Sequence, residues 1–288
     1  MSKLSYFVKS AIRNLKPSFD KCPSCGSRDY SVVSRKFLVT ALRRCSACSL
    51  LYRYPIEDVE DARRFYEAEY TQGFTTDIPD EETLVGLLDI NFRGSTRDYG
   101  HYIEILSTLT PPPANVFEFG CSWGYGSWQL SKAGFNTGAF EISHHRGGFA
   151  RDRLGVDVQA EFPSRDNTDQ FDAVITTHVL EHVPSIDSAL KNLETYVRPG
   201  GYIVAITPNG SSEWRNADFN AWNTCWGEVH PNFPDIEFYR QRYADRPYFI
   251  STTPLPTDQL SRWAAGEGDQ QIVKALDAYE LCVVLRVD

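Results

Sequence analysis

No apolar run in the sequence approaches the ~18 residues that cross a bilayer. No stretch has the charged start, apolar core and small-residue cleavage site of a signal peptide. Cysteine is too scarce, and odd in number, for a disulfide framework. There are seven, four of them in two CxxC pairs, which points to a reducing, cytoplasmic setting and to metal. Acid is nearly missing from the front: residues 1–56 hold eleven Lys or Arg against Asp20 and Asp29, while the rest hold 18 basic and 36 acidic residues. That polarity suggests an anionic partner for the front of the chain. What remains is an ordinary globular composition, 42% hydrophobic and 23% charged over 288 residues. This is enough for one large domain with an appendage.

Four segments follow from pattern. In residues 3–16, Leu4, Phe7, Val8, Ala11, Ile12 and Leu15 share one helical face, with Lys3, Lys9, Arg13 and Lys16 elsewhere and Pro17 as the stop. A basic amphipathic helix over 1–17 would dock on its own protein or a second subunit. It could instead lie on an anionic membrane at the inner face, or serve as a targeting peptide. Residues 18–56 carry Cys22, Cys25, Cys45 and Cys48, with nineteen residues between the pairs. Two CxxC turns supply four thiolates at zinc-ribbon spacing, and the β-branched stretch between them suits a hairpin. A structural Zn2+ with no open position is expected. Residues 57–115 read as a helical linker or cap, ended by "TPPPAN".

From Val116 to the end, strands alternate with helices, the pattern of a doubly wound α/β sheet. "VFEFGCSWGYGSW" follows a strand and opens a helix, and Glu141 closes the second strand. A glycine turn with an acid placed for a ribose diol indicates an adenosine-bearing cofactor, although GxGxxG itself is lacking. Residues 208–247, Trp-rich and irregular, suit a lid.

These strings, with "GAFEIS", "FDAVITTHVLEHVPSIDSAL" and "VRPGGYIVAITPN", resemble class I S-adenosylmethionine-dependent methyltransferases, most closely the bacterial subgroup with a cysteine-rich zinc module in front. The resemblance covers residues 20–55 and 95–210 and implies a seven-stranded, Rossmann-like sheet over 116–288. It implies S-adenosyl-L-methionine held by Glu118, Gly120, Cys121, Ser122, Gly124, Glu141, Ile142 and Thr177. Ser122 stands where many members have glycine.

"THVLEHVP" spells H-x-x-E-H, a zinc-peptidase signature. Here it follows an apolar strand, and Pro184 forbids helical continuation, so it reads as a strand-to-helix connection at the cofactor end. His178 is the candidate base or acceptor-positioning residue. Glu181 and His182 read as structural, and a metal held by His178, Glu181, His182 and His230 is a lesser alternative. The expected activity is methyl transfer to a small molecule or glycan precursor, such as a nucleotide- or lipid-linked sugar. The alternatives are an RNA methyltransferase, which the acidic body disfavours, and a non-catalytic adaptor.

Overall fold

A computed structural model describes residues 8, 10–13, 20–56, 77–159, 170–227, 230–273 and 276–288. Residues 57–76 of the expected linker or cap and most of the helix expected over 3–16 lie outside these residues. In its described part that helix turns Val8 and Ile12 outward, both about half exposed, and buries Ser10.

The front module is a three-stranded antiparallel sheet of β1 (Tyr30–Lys36), β2 (Thr40–Cys45) and β3 (Leu51–Tyr54), in that order. Its two CxxC turns bring all four cysteines together at one end. Much of its positive charge is used internally. Arg43 lies over the rings of Tyr30 and Tyr54 and pairs with Asp20, and Arg44 pairs with Asp235 at 2.6 Å. Lys36 covers the Trp226 ring and donates to the Trp226 carbonyl, and Arg53 is buried. The anionic partner expected from charge counting therefore meets fewer free cations than the sequence offers.

The second sheet contains β4 (Asn115–Phe119), β5 (Asn136–Phe140), β6 (Val158–Gln159), β7 (Phe171–Thr177), β8 (Val197–Pro208), β9 (Tyr248–Thr252), β10 (Gln270–Ile272) and β11 (Glu280–Arg286). Its order is β10-β9-β11-β8-β7-β4-β5-β6, parallel except for β11, which runs against both β8 and β9. The chain builds outward from β4 to β6, then returns to the other side of β4 with β7, so strand order reverses between β4 and β7. The expected count of seven is corrected to eight among the described residues. The extra strand, β10, is three polar-flanked residues with no alternation to announce it.

Two layers of helices cover the sheet, as the alternation within each strand dictates. On β8, Ile203 and Ala205 face one core while Val204 and Ile206 face the other. The first core takes α5 (Ile186–Tyr196), whose Ile186, Ala189, Leu190 and Leu193 fall at i, i+3, i+4 and i+7, and α8 (Ile236–Arg242). Cys22, Cys45, Leu50 and Tyr52 of the front module join this same core. The second core takes α2 (Gly100–Leu109), α3 (Tyr125–Lys132) and α9 (Thr257–Ala264). Residues 99–109 thus pack directly on the sheet. Helix α1 (Glu81–Asp89), with Asp80 as its cap, lies beside Trp123. Helix α4 (His144–Leu154) starts on the Ser143 side chain and stops at Gly155, φ 66°.

The segment expected as a lid contains α6 (Ser212–Ala217) and α7 (Phe219–Thr224). Its Trp214, Trp222 and Trp226 are buried with Phe233 against Leu42 and Leu51 of the front module. These tryptophans form an internal interface. The Phe233 amide donates to the Leu51 carbonyl and the Arg53 amide to the Pro231 carbonyl, so residues 231–233 extend the edge of β3. The described residues include no helix long and apolar enough to cross a membrane.

Candidate active site

In an open parallel sheet, ligands bind beyond the carboxyl ends of the strands where strand order reverses. Here that place lies between β4 and β7, and the residues singled out from sequence gather there. Glu118, on β4, is fully buried and accepts hydrogen bonds from Tyr99 (2.5 Å) and Ser127 (2.5 Å). Burial pushes its carboxyl up, against those two donors. Since the single Tyr99 proton goes to Glu118, the Thr177 hydroxyl, 2.6 Å away, donates to Tyr99. A buried bridge thus joins the ends of β4 and β7.

The glycine turn has positive φ at Gly120 (83°), Ser122 (52°) and Gly124 (86°). A Cβ on Gly120 would stand 2.4 Å from Val179, and one on Gly124 2.6 Å from Ala150, so both positions exclude other residues on two grounds. Ser122 adopts the left-handed conformation in place of a glycine. Its amide donates to Glu141 Oε2 (2.9 Å), and its hydroxyl accepts from the buried Arg146 (2.9 Å). The other Glu141 oxygen accepts from the Ser143 amide (2.8 Å). Burial raises the Glu141 carboxyl, against these amides and Arg146. Ile142, beside it, leaves its apolar side chain 41% exposed at the edge. Cys121 instead turns into a small core with Ala139, Ala150 and Val156. Arg97 lies over the Trp123 ring, and both Arg97 Nε and Trp123 Nε1 are buried without a hydrogen-bond partner among the described residues.

The H-x-x-E-H stretch is a turn between β7 and α5, as expected. His178 has φ 54°, an uncommon conformation for a non-glycine residue and one found often at functional sites. Its Nε2 lies 2.8 Å from Glu280 and its Nδ1 3.4 Å from the fully buried Glu181. Glu280 opens β11, and because that strand runs antiparallel its first residue reaches the carboxyl edge of the others, opposite Pro208. His182 and His230 lie beyond Glu181, their rings 4.5 Å apart. Ligating atoms of Glu181, His182 and His230 fall within 4.8 Å of one another, while His178 is drawn out of that group toward Glu280. His144 and His145 are exposed at the start of α4. A recess of about 630 Å³ lined by Asn115, Asn136 and Phe171 lies over strand starts, away from His178 and Glu141.

The four cysteines form a separate centre. Cys22 and Cys48 Sγ are 3.6 Å apart and Cys25 and Cys45 Sγ 3.5 Å, too far for disulfides, with all four within 4.8 Å. Tetrahedral Zn–S bonds of about 2.3 Å require sulfur separations near ~3.8 Å, so the set fits zinc. Contact with Cys22, helped by the Leu50 amide and opposed by burial, pulls the Cys48 thiol down to about 5.

Tyr99, Arg146 and Glu280 were not found from sequence. Glycine loop, edge carboxylate and buried unpaired donors together are the equipment of an α/β protein that takes a nucleoside-bearing cofactor. A family model described as "Methyltransferase domain" matches residues 92–246, more than half of the sequence, and this chain belongs to that family. The Aeromonas salmonicida (strain A449) ubiquinone biosynthesis O-methyltransferase is 31% identical over 102 residues, covering 33% of this chain and 43% of that protein. The chain thus matches less than half the length of that curated relative. The plantazolicin methyltransferase BpumL, in complex with a monoazolic desmethylPZN analog and SAH, aligns with a TM-score of 0.51 over 80% of this chain and 96% of that one. At 14% identity it shares the fold.

Proposed function

We propose that this protein moves a methyl group from S-adenosylmethionine to a small-molecule or glycan-precursor acceptor, such as a nucleotide- or lipid-linked sugar. The observation that carries this reading is the Glu141 carboxylate, held at the carboxyl edge by the Ser122 and Ser143 amides beside the glycine turn. Those bonds aim it without using all of its lone pairs, so it can grip a ribose diol. Exposed Ile142 offers an apolar wall for the base, and the unpaired Arg97 Nε a donor for the cofactor's carboxylate. The bare Gly120–Gly124 backbone would receive the methionine part. When bound, the cofactor supplies an electrophilic methyl on a sulfonium. This chain's residues contribute alignment of an in-line displacement and exclusion of water. The acceptor gives up its proton as the new bond forms, and His178, just past the carboxyl end of β7, is the candidate to accept that proton or to place the acceptor.

The four cysteines, in this reading, hold one structural Zn2+. Residues 3–16 would make peripheral contact with an anionic membrane, which flotation with and without residues 1–17 tests. Binding of RNA gains little support, since Arg43, Arg44, Lys36 and Arg53 are engaged within the protein and phosphate binding needs free cations.

Isothermal titration with S-adenosylmethionine tests the core of the proposal. Micromolar binding that Glu141→Ala weakens at least tenfold is the expected result. Absence of binding at hundreds of micromolar would favour a non-catalytic adaptor. Screening acceptors with labelled cofactor, then mass spectrometry of the product, names the substrate.

A further inference from the structure

Glu181 is fully buried, and neither of its carboxylate oxygens has a hydrogen-bond partner among the described residues. His178 Nδ1 stands 3.4 Å from Oε1 but makes no hydrogen bond to it. A carboxylate taken out of water without donors is costly, and an ordered water or an ion is what completes such a group. The neighbours decide between the two. His182 Nε2 is 3.9 Å from the same oxygen, and ligating atoms of Glu181, His182 and His230 all fall within 4.8 Å of one another. We propose that these three residues bind one divalent first-row transition ion, at a metal site separate from the four cysteines.

Two imidazoles and one carboxylate suit Zn2+, Co2+ or Fe2+ rather than Ca2+ or Mg2+, which favour oxygen alone. Bonds of about 2.1 Å in a tetrahedron put ligand atoms ~3.4 Å apart, so side-chain shifts of roughly an ångström close the set. The His230 ring is already turned for it. Its Nδ1 lies 2.6 Å from the Cys225 carbonyl, which only accepts, so Nδ1 carries the proton and Nε2 keeps its lone pair. A histidine held through its other nitrogen is the usual arrangement around a metal. The backbone fixes the spacing. Asn232, two residues past His230, donates its amide to the Glu181 carbonyl and its side chain to those of Leu180 and Val183. The β7–α5 turn and the segment bearing His230 are thus tied together without the ion. Glu280 holds His178 Nε2 at 2.8 Å, which keeps that ring out of the set. Three protein ligands leave at least one position for water or an acceptor oxygen, unlike the closed sulfur site of the front module. Use of that position in methyl transfer rests on the reading above; binding of the ion does not.

The test is a Co2+ titration of the full chain, dialysed to remove loosely held metal. The wild type should take up one Co2+ with visible d–d bands and no sulfur-to-metal charge transfer in the near ultraviolet, because the set contains no thiolate. With labelled histidine, NMR of the same sample should show hyperfine-shifted signals from two rings. Glu181→Gln and His230→Ala, each checked for native circular dichroism, should weaken the uptake at least tenfold. Three results overturn the proposal. The first is no uptake by the wild type at hundreds of micromolar Co2+. The second is uptake only with sulfur charge-transfer bands, which is exchange into the cysteine site. Both are read on the wild type and need no variant to fold. The third is a loss of less than tenfold in both folded variants, the mark of an adventitious surface site. The titration contains neither cofactor nor acceptor. Its failure leaves the methyl-transfer reading standing, and a failure of S-adenosylmethionine to bind leaves the metal site standing.

Discussion

Replacing Asn232 by alanine should loosen the protein at the point where its two halves meet the His178 turn. Asn232 is fully buried. Its side-chain amide donates to the carbonyls of Val183 (2.6 Å) and Leu180 (3.2 Å), and its backbone amide donates to that of Glu181 (3.1 Å). Truncation leaves two buried carbonyls without donors, at about 1–3 kcal/mol each. One term works the other way. Asn232 Oδ1 is itself buried without a partner, and its removal returns about 1–2 kcal/mol. The net loss centres near about 2.5 kcal/mol, which for a chain of this size lowers Tm by about 5–10 °C. Urea unfolding followed by tryptophan fluorescence, with Asn232→Asp as the same-size control that loses the donor, measures it. A loss below about 0.5 kcal/mol would refute the reasoning, because it would mean that the turn does not depend on those two bonds.

Gly120→Ala should weaken S-adenosylmethionine binding at least tenfold by calorimetry, since its Cβ would meet Val179 at 2.4 Å in a left-handed conformation costing about 1–2 kcal/mol. Adding Val179→Ala should recover part of the loss. Elemental analysis should find one zinc per chain, and Cys25→Ser should release it and change the fluorescence of Trp222 and Trp226, which pack on the ribbon. The His178–Glu280 pair makes stability depend on pH with a definite sign. Glu280, held down to about 2, contributes fully above 4.5 and loses its contribution as pH falls toward 2. His178, raised to about 10, contributes fully below 6.5 and loses its contribution as pH rises through 10. Urea midpoints should therefore decline on both sides of the window from 4.5 to 6.5, and Glu280→Gln should flatten both slopes.

The parts of the fold written in local chemistry were legible. Pro184, the Ser185 cap and the spacing of Ile186, Ala189, Leu190 and Leu193 placed α5 and ruled out the peptidase helix. Alternation through "FDAVITT" and "GYIVAITPN" placed β7 and β8. What could not be read depends on contacts distant in the chain. No local pattern marks Tyr99 as the partner of Glu118, or Glu280 as that of His178; the first follows only once α2 has packed on the sheet, the second only once β11 has been laid antiparallel into it. A lone acid opening an otherwise apolar strand was the available signal for Glu280. The charge count of the first 56 residues overstates the free cations for a related reason. Composition cannot tell a solvated arginine from one folded between Tyr30 and Tyr54.

The edge that β3 lends to residues 231–233 means that the cysteine ribbon is no interchangeable attachment. Its removal would strip cover from Leu42's partners Trp214, Trp222, Trp226 and Phe233 at once. Grafting this front module onto another methyltransferase would require carrying residues 208–235 along with it, so in evolution or in design the two segments travel as one inherited piece.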